Sequence, residues 1–165
     1  MKRVISFLCC MVLLVGWLGM CCPVNAAEAD GATNEVLVSE TVEVLPDGTV
    51  ITISVYETPV QTRASSYHKS GKKTYTGWDS SGNKLWTLTV HGGFTVNEGV
   101  SATCTAATRS YGIYNDAWHY VTSSAYASGS SAIADGEFCK KALGITVETK
   151  TAHVVLTCDK YGNLS

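Results

Sequence analysis

Cysteine and histidine are the residues of this chain with the widest chemical range, and their spacing narrows what they can do. Three of the seven cysteines, Cys104, Cys139 and Cys158, lie in the body of the sequence. Cys104 ends the run Val100-Ser-Ala-Thr-Cys, and Cys158 ends His153-Val-Val-Leu-Thr-Cys. Alternation with period two puts both thiols on the apolar side of a strand. Two such cysteines are natural disulfide partners in an oxidising compartment. Closing the loop of about 55 residues between them would stabilise the fold by roughly 4 kcal/mol on chain-entropy grounds. Cys139, in Glu137-Phe-Cys-Lys-Lys141, is then the odd thiol. It reads as a small buried hydrophobe. The alternatives are a reactive thiol whose pKa Lys140 and Lys141 lower, or a different pairing, and the connectivity stays open.

The histidines His68, His91, His119 and His153 stand at no metal-ligand spacing with cysteine or with one another, so neither metal nor cofactor is expected. There is no Gly-x-Ser-x-Gly elbow and no glycine-rich phosphate loop. Asp79, Asp116 and Asp135 read as isolated residues in turn-like contexts, not as the converging carboxylates of a glycosidase. No enzyme is expected. The aromatic residues carry more promise. Trp86, with one of Trp118 or Tyr120, belongs to a core. Ser110-Tyr-Gly-Ile-Tyr-Asn-Asp116 reads as an aromatic loop. Tyr111, Tyr114 and Trp118 are the candidate binding aromatics, able to stack on sugars or anchor a protein.

The elements that would position these groups are strands. Val36–Val44 and Thr49–Tyr56 flank Leu45-Pro-Asp-Gly48, where Pro presets φ and Gly accepts a positive φ, a hairpin with a mechanism. Lys72–Trp78 and Lys84–His91 flank Asp79-Ser-Ser-Gly-Asn83, and Gly92-Gly93 permits a bend or bulge. Phe94–Val96, Val100–Thr108, Trp118–Ser123, Ser131–Lys141 and Thr146–Asp159 continue the series, the last with a break near Lys150. No segment sustains a helical apolar pattern. The expected fold is all-β, an antiparallel β-sandwich or small barrel preceded by a β-hairpin arm.

The amino terminus sets the compartment. Lys2 and Arg3 precede an apolar run from Val4 to Met20, and Val24-Asn25-Ala26 offers a small-residue cut, the order of a secretory signal peptide over 1–26. A lipobox-like Leu18-Gly-Met-Cys21 makes a cell-surface lipoprotein the alternative, and an uncleaved anchor is a third. Residues 27–61 hold seven acids and no Lys or Arg, while 62–165 hold ten basic and seven acidic residues. This marks an acidic arm over 27–61, which could be a pro-segment, a linker over 62–66 and a body over 67–165. With Lys2 and Arg3 removed, ten basic residues face fourteen acidic ones, and the absence of any basic run argues against nucleic acid. No membrane contact is expected once the leader is cut.

Lys72-Lys-Thr-Tyr-Thr, Ser80-Ser-Gly-Asn-Lys-Leu-Trp-Thr-Leu-Thr-Val90, Phe94-Thr-Val, Ser101-Ala-Thr-Cys-Thr105 and the ending Leu156-Thr-Cys-Asp-Lys-Tyr-Gly-Asn-Leu-Ser165 together resemble a family of small secreted proteins of unknown function from clostridia-type Gram-positive bacteria. The resemblance covers roughly residues 66–165. It implies secretion, a β-rich fold and a Cys104–Cys158 pairing, and it implies no activity; Cys139 lies outside its pattern. A secreted binding or surface-interaction module, engaging a cell-surface glycan or protein, is the leading expectation. A structural, self-associating extracellular protein is the alternative, ahead of an enzyme or toxin.

Overall fold

Alternating apolar and polar residues leave the chain few choices other than strands, and the computed structural model, which describes residues 34–60 and 64–165, contains eight. The leader over 1–26, the acids Glu28 and Asp30, and Arg63 lie outside the described residues. In chain order the strands are β1 (Val36–Val44), β2 (Val50–Glu57), β3 (Ser66–Trp78), β4 (Lys84–Asn97), β5 (Ser101–Ile113), β6 (Trp118–Ser128), β7 (Ser131–Ala142) and β8 (Ile145–Thr157). They form two antiparallel sheets, β1-β2-β3-β4-β5 and β6-β7-β8, packed as a sandwich without closing into a barrel.

The core is the inner faces of these sheets. Trp86, Leu88, Val90, Phe94 and Val96 of β4 meet Ala132, Ala134 and Phe138 of β7 and Val154 and Leu156 of β8. Each fully buried Leu, Val or Phe contributes about 1.5–3 kcal/mol. The Trp86 and Phe138 rings stack at 4.7 Å. Glycine makes room where a large ring crosses a strand: a Cβ at Gly77 would lie 2.6 Å from Trp86 Cε2. At Gly136 it would meet Leu88 Cδ2 at 2.9 Å, so β7 lies close on the opposite sheet.

The Leu45–Gly48 hairpin forms as its residues predict, with the Gly48 N–H donating to Leu45 O at 2.9 Å and Gly48 at φ 83°. It supplies the first two strands of the larger sheet. β2 pairs with β3 from Val50 opposite Trp78 to Glu57 opposite Gly71, and Ile51, Ile53 and Val55 join the common core. The change in charge therefore falls between β2 and β3, two paired strands of one sheet. The acids answer lysines of the same body: Glu57 pairs with Lys69 at 2.8 Å, Glu35 with Lys72 at 2.5 Å, and Asp47 with Lys150.

Several segments differ from their sequence reading. Ser110–Ile113, expected in a loop, is the end of β5, because pairing of Tyr111 opposite Leu88 continues the ladder. β4 runs unbroken through Gly92-Gly93, where the expected irregularity is a register shift between Gly93 and Phe94 and does not end the strand. β8 runs through Lys150 without a break. The expected Cys104–Cys158 bridge is not formed in this structure: Cys104, Cys139 and Cys158 are free and buried. Each thiol of the expected pair donates instead to a carbonyl of its own segment, Cys104 to Ala106 O at 3.3 Å and Cys158 to Asp159 O at 3.6 Å. Their backbones nevertheless meet at one turn, since the Cys104 N–H donates to Gly129 O and the Cys158 N–H to Ser130 O.

Candidate functional site

Two concavities with polar side chains in their walls stand out, and hydrogen bonding separates them. The first, about 220 Å³, lies at the end where the hairpin turns converge, lined by Asp47, Asp79, Asn115, Lys140 and Glu148 beside Trp118. Its groups are largely consumed by the fold. Asp79 Oδ1 accepts the N–H groups of Ser81 at 2.9 Å and Asn83 at 2.8 Å, and Oδ2 accepts the Asn83 side chain at 2.9 Å. These bonds, the Asn83 side chain first, hold the Asp79 carboxyl below the usual range. Asp47 accepts the Thr49 N–H and the Lys150 ammonium, which also pairs with Glu148 at 3.2 Å. Asn115 accepts the Ala117 N–H at 3.0 Å. These contacts serve as clamps on turns.

The second concavity, about 360 Å³, lies on the outer face of β6-β7-β8. Alternation in Ala132-Ile-Ala-Asp-Gly-Glu-Phe138 sends Ala132, Ala134, Gly136 and Phe138 inward and Ile133, Asp135 and Glu137 outward. The neighbouring registers complete three rows across the sheet: Tyr126–Ile133–Val155, Ser124–Asp135–His153 and Thr122–Glu137–Thr151. His153 Nδ1 donates to Asp135 Oδ1 at 2.6 Å. A carboxylate can only accept, so this bond fixes the proton on Nδ1 and leaves Nε2 facing outward as an acceptor when the ring is neutral. Among the described residues, the side chains of Thr122, Ser124, Glu137 and Thr151 have no hydrogen-bond or ion-pair partner within the chain. Tyr126, 47% exposed, stands in the next row on the same face.

Such an array can donate and accept many hydrogen bonds at once beside an aromatic ring. Among the described residues no group of three or more His, Cys, Asp or Glu side chains converges to hold a metal ion. No family model, curated protein or solved structure matches this chain. The groove therefore has to be read from its own chemistry.

The three candidate aromatics fall in three different places. Tyr111, on β5 and 48% exposed, stacks on Tyr120 of β6 at 3.9 Å. Tyr114 folds over Gly112, with the Lys84 ammonium 3.9 Å from its ring centroid. Trp118 is 3% exposed and belongs to the core. They form no common surface. Asp135, read as a turn residue, is in mid-strand, and the groove around it went unrecognised. Its signal was present in Asp135-Gly-Glu137, two carboxylates two apart on an alternating strand and hence on one face. Which strands would bring Ser124 and His153 alongside was not legible.

Proposed function

We propose that this chain is an exported binding module that takes a neutral, polyhydroxylated ligand, a glycan segment, on the outer face of β6-β7-β8. One observation carries the reading: Thr122, Ser124, Glu137 and Thr151, without partners among the described residues, surround the fixed His153–Asp135 pair in an open groove. Each sugar hydroxyl both donates and accepts. A carboxylate such as Glu137 gives the strongest of the available bonds, because charge-assisted hydrogen bonds are roughly twice as strong as neutral ones. Tyr126 offers a ring face to the apolar side of a pyranose. The basic, apolar and small-residue order of 1–26 supports export to where glycans are met.

A glycan array probed with the purified chain tests the proposal. Binding to a restricted set of saccharides is expected, lost in Glu137→Gln and in Tyr126→Ala while both variants remain folded. An array without signal, or binding unchanged in both variants, would overturn it.

A further inference from the structure

The larger sheet ends in a strand that is exposed from end to end. All nine residues of β1 are exposed, with Val42 at 61% and Val44 at 70%. Because the Leu45 N–H donates to Thr49 O, alternation turns the backbone groups of Glu40, Val42 and Val44 to the edge that has no neighbouring strand among the described residues. Two features bound the stretch that can accept another strand. The register shift between Leu37 and Ser39 ends it on one side. Pro46, which has no N–H, ends it on the other. The usable window is thus 39–45, and its midpoint is Val42.

We infer that this edge is self-complementary: two copies of the chain pair β1 antiparallel about a two-fold axis at Val42, joining their larger sheets into one. In that register Val42 faces Val42 of the other copy, and each Val44 faces Glu40 across the axis. Each Glu43 faces Thr41, and each Ser39 faces Leu45. No like charges are opposed, whereas centring the axis on Glu40 or Glu43 would place two carboxylates directly opposite, which is destabilising. The window also lets the free N–H and C=O groups of Glu40, Val42 and Val44 all find partners. Exposed apolar side chains beside an unpaired edge are the usual conditions for such pairing. The joined copies would each keep a groove on the other sheet, so a repeating glycan would be held at two points.

Sedimentation of the full chain across its accessible concentration range should show a monomer–dimer equilibrium, and Val42→Lys, which sets two ammonium groups face to face, should weaken it by about tenfold or more. Register is tested by cross-linking with oxidised glutathione. In Val42→Cys, the two facing thiols give up two protons and two electrons to glutathione disulfide, forming one bond between the copies and releasing two reduced glutathiones. Facing residues of this kind lie about 5.5 Å apart at Cα, within disulfide reach. In Val44→Cys the two thiols sit four residues apart along the joined strands, about 13 Å, and should not link. Mixing Val44→Cys with Glu40→Cys should restore the link. A chain that stays monomeric throughout, or a Val44→Cys variant that links as readily as Val42→Cys, would overturn the inference.

Discussion

The two concavities carry similar residues and opposite bookkeeping of hydrogen bonds. At the turn end, Asp79 accepts from Ser81 and Asn83, and Asp47 from Thr49 and Lys150, so the acids are satisfied within the fold. On the outer face of β6-β7-β8 the Asp135–His153 pair is closed, and among the described residues Glu137 has no partner. Residue type alone would rank the two surfaces alike. What separates them is whether a polar side chain already has its partner, because an open donor or acceptor on a rigid sheet can still be given to a ligand. A repeated device makes the same point. Asp159-Lys-Tyr-Gly-Asn163 reproduces the bonding of Asp79-Ser-Ser-Gly-Asn83, with Asp159 accepting the Tyr161 and Asn163 N–H groups and the Asn163 side chain. Such carboxylates hold turns.

The largest effect should come from the strand both surfaces share. Phe138 of β7 lies between Glu137 of the groove and Lys140 of the end pocket, stacked on Trp86 and edge-on to Tyr120. Phe138→Ala should cost about 3–5 kcal/mol in chemical denaturation, with one cooperative transition. Two separate transitions would show that the sheets unfold independently and would break the comparison at its base.

Next come variants that should divide the two concavities. Asp135→Asn with Glu137→Gln should reduce saccharide affinity by about tenfold to a hundredfold, as expected for losing hydrogen bonds to charged groups, with little change in Tm. Asp79→Asn should do the reverse, lowering Tm and leaving affinity alone. If Asp79→Asn weakened binding as much as the groove pair did, the turn end would be the binding surface.

How much of this was written in the sequence varies with the range of the interaction. The Leu45–Gly48 hairpin and the Gly92-Gly93 irregularity follow from local backbone preference, and both are present. The burial of Trp86 follows from alternation, whereas Trp118, a candidate binding aromatic as well as one of two candidates for the core, proves to be buried. The groove depends on which strands become neighbours and in what register, a non-local matter on which Thr122, Asp135 and His153 carry no local mark. The acidic stretch shows the same range: its partners Lys69, Lys72 and Lys150 lie elsewhere in the sequence, so these ion pairs carry no local mark either. The cysteines lie between these cases. Alternation placed Cys104 and Cys158 in the core correctly, but burial alone does not make a bond. Burial, then the neighbouring Asp159, pushes Cys158 up to about 11, and burial raises Cys104 as well. Both should therefore resist alkylation near neutral pH in the native chain and react once it is unfolded. A chain oxidised across this pair would instead stay two alkylations short after unfolding, as intact mass would show.

The smallest effect should appear at the acid end of the stability profile. Hydrogen bonds, the Asn83 and Asn163 side chains first, lower the carboxyls of Asp79 and Asp159 below their ordinary 3.8. A carboxyl whose pKa is depressed in the folded chain stabilises it at pH values above the unfolded pKa. That contribution disappears as pH falls through the lower, folded value, when both states are protonated. Tm should thus decline in the wild type as pH drops below 3.8, and Asp79→Asn with Asp159→Asn should begin lower and decline less over the same range. Both groups are exposed, so the difference should be small and should shrink with added salt. Identical acid limbs in the wild type and the double variant would mean that these carboxylates do not clamp their turns. The distinction between a satisfied turn end and an open groove would then rest on the groove alone.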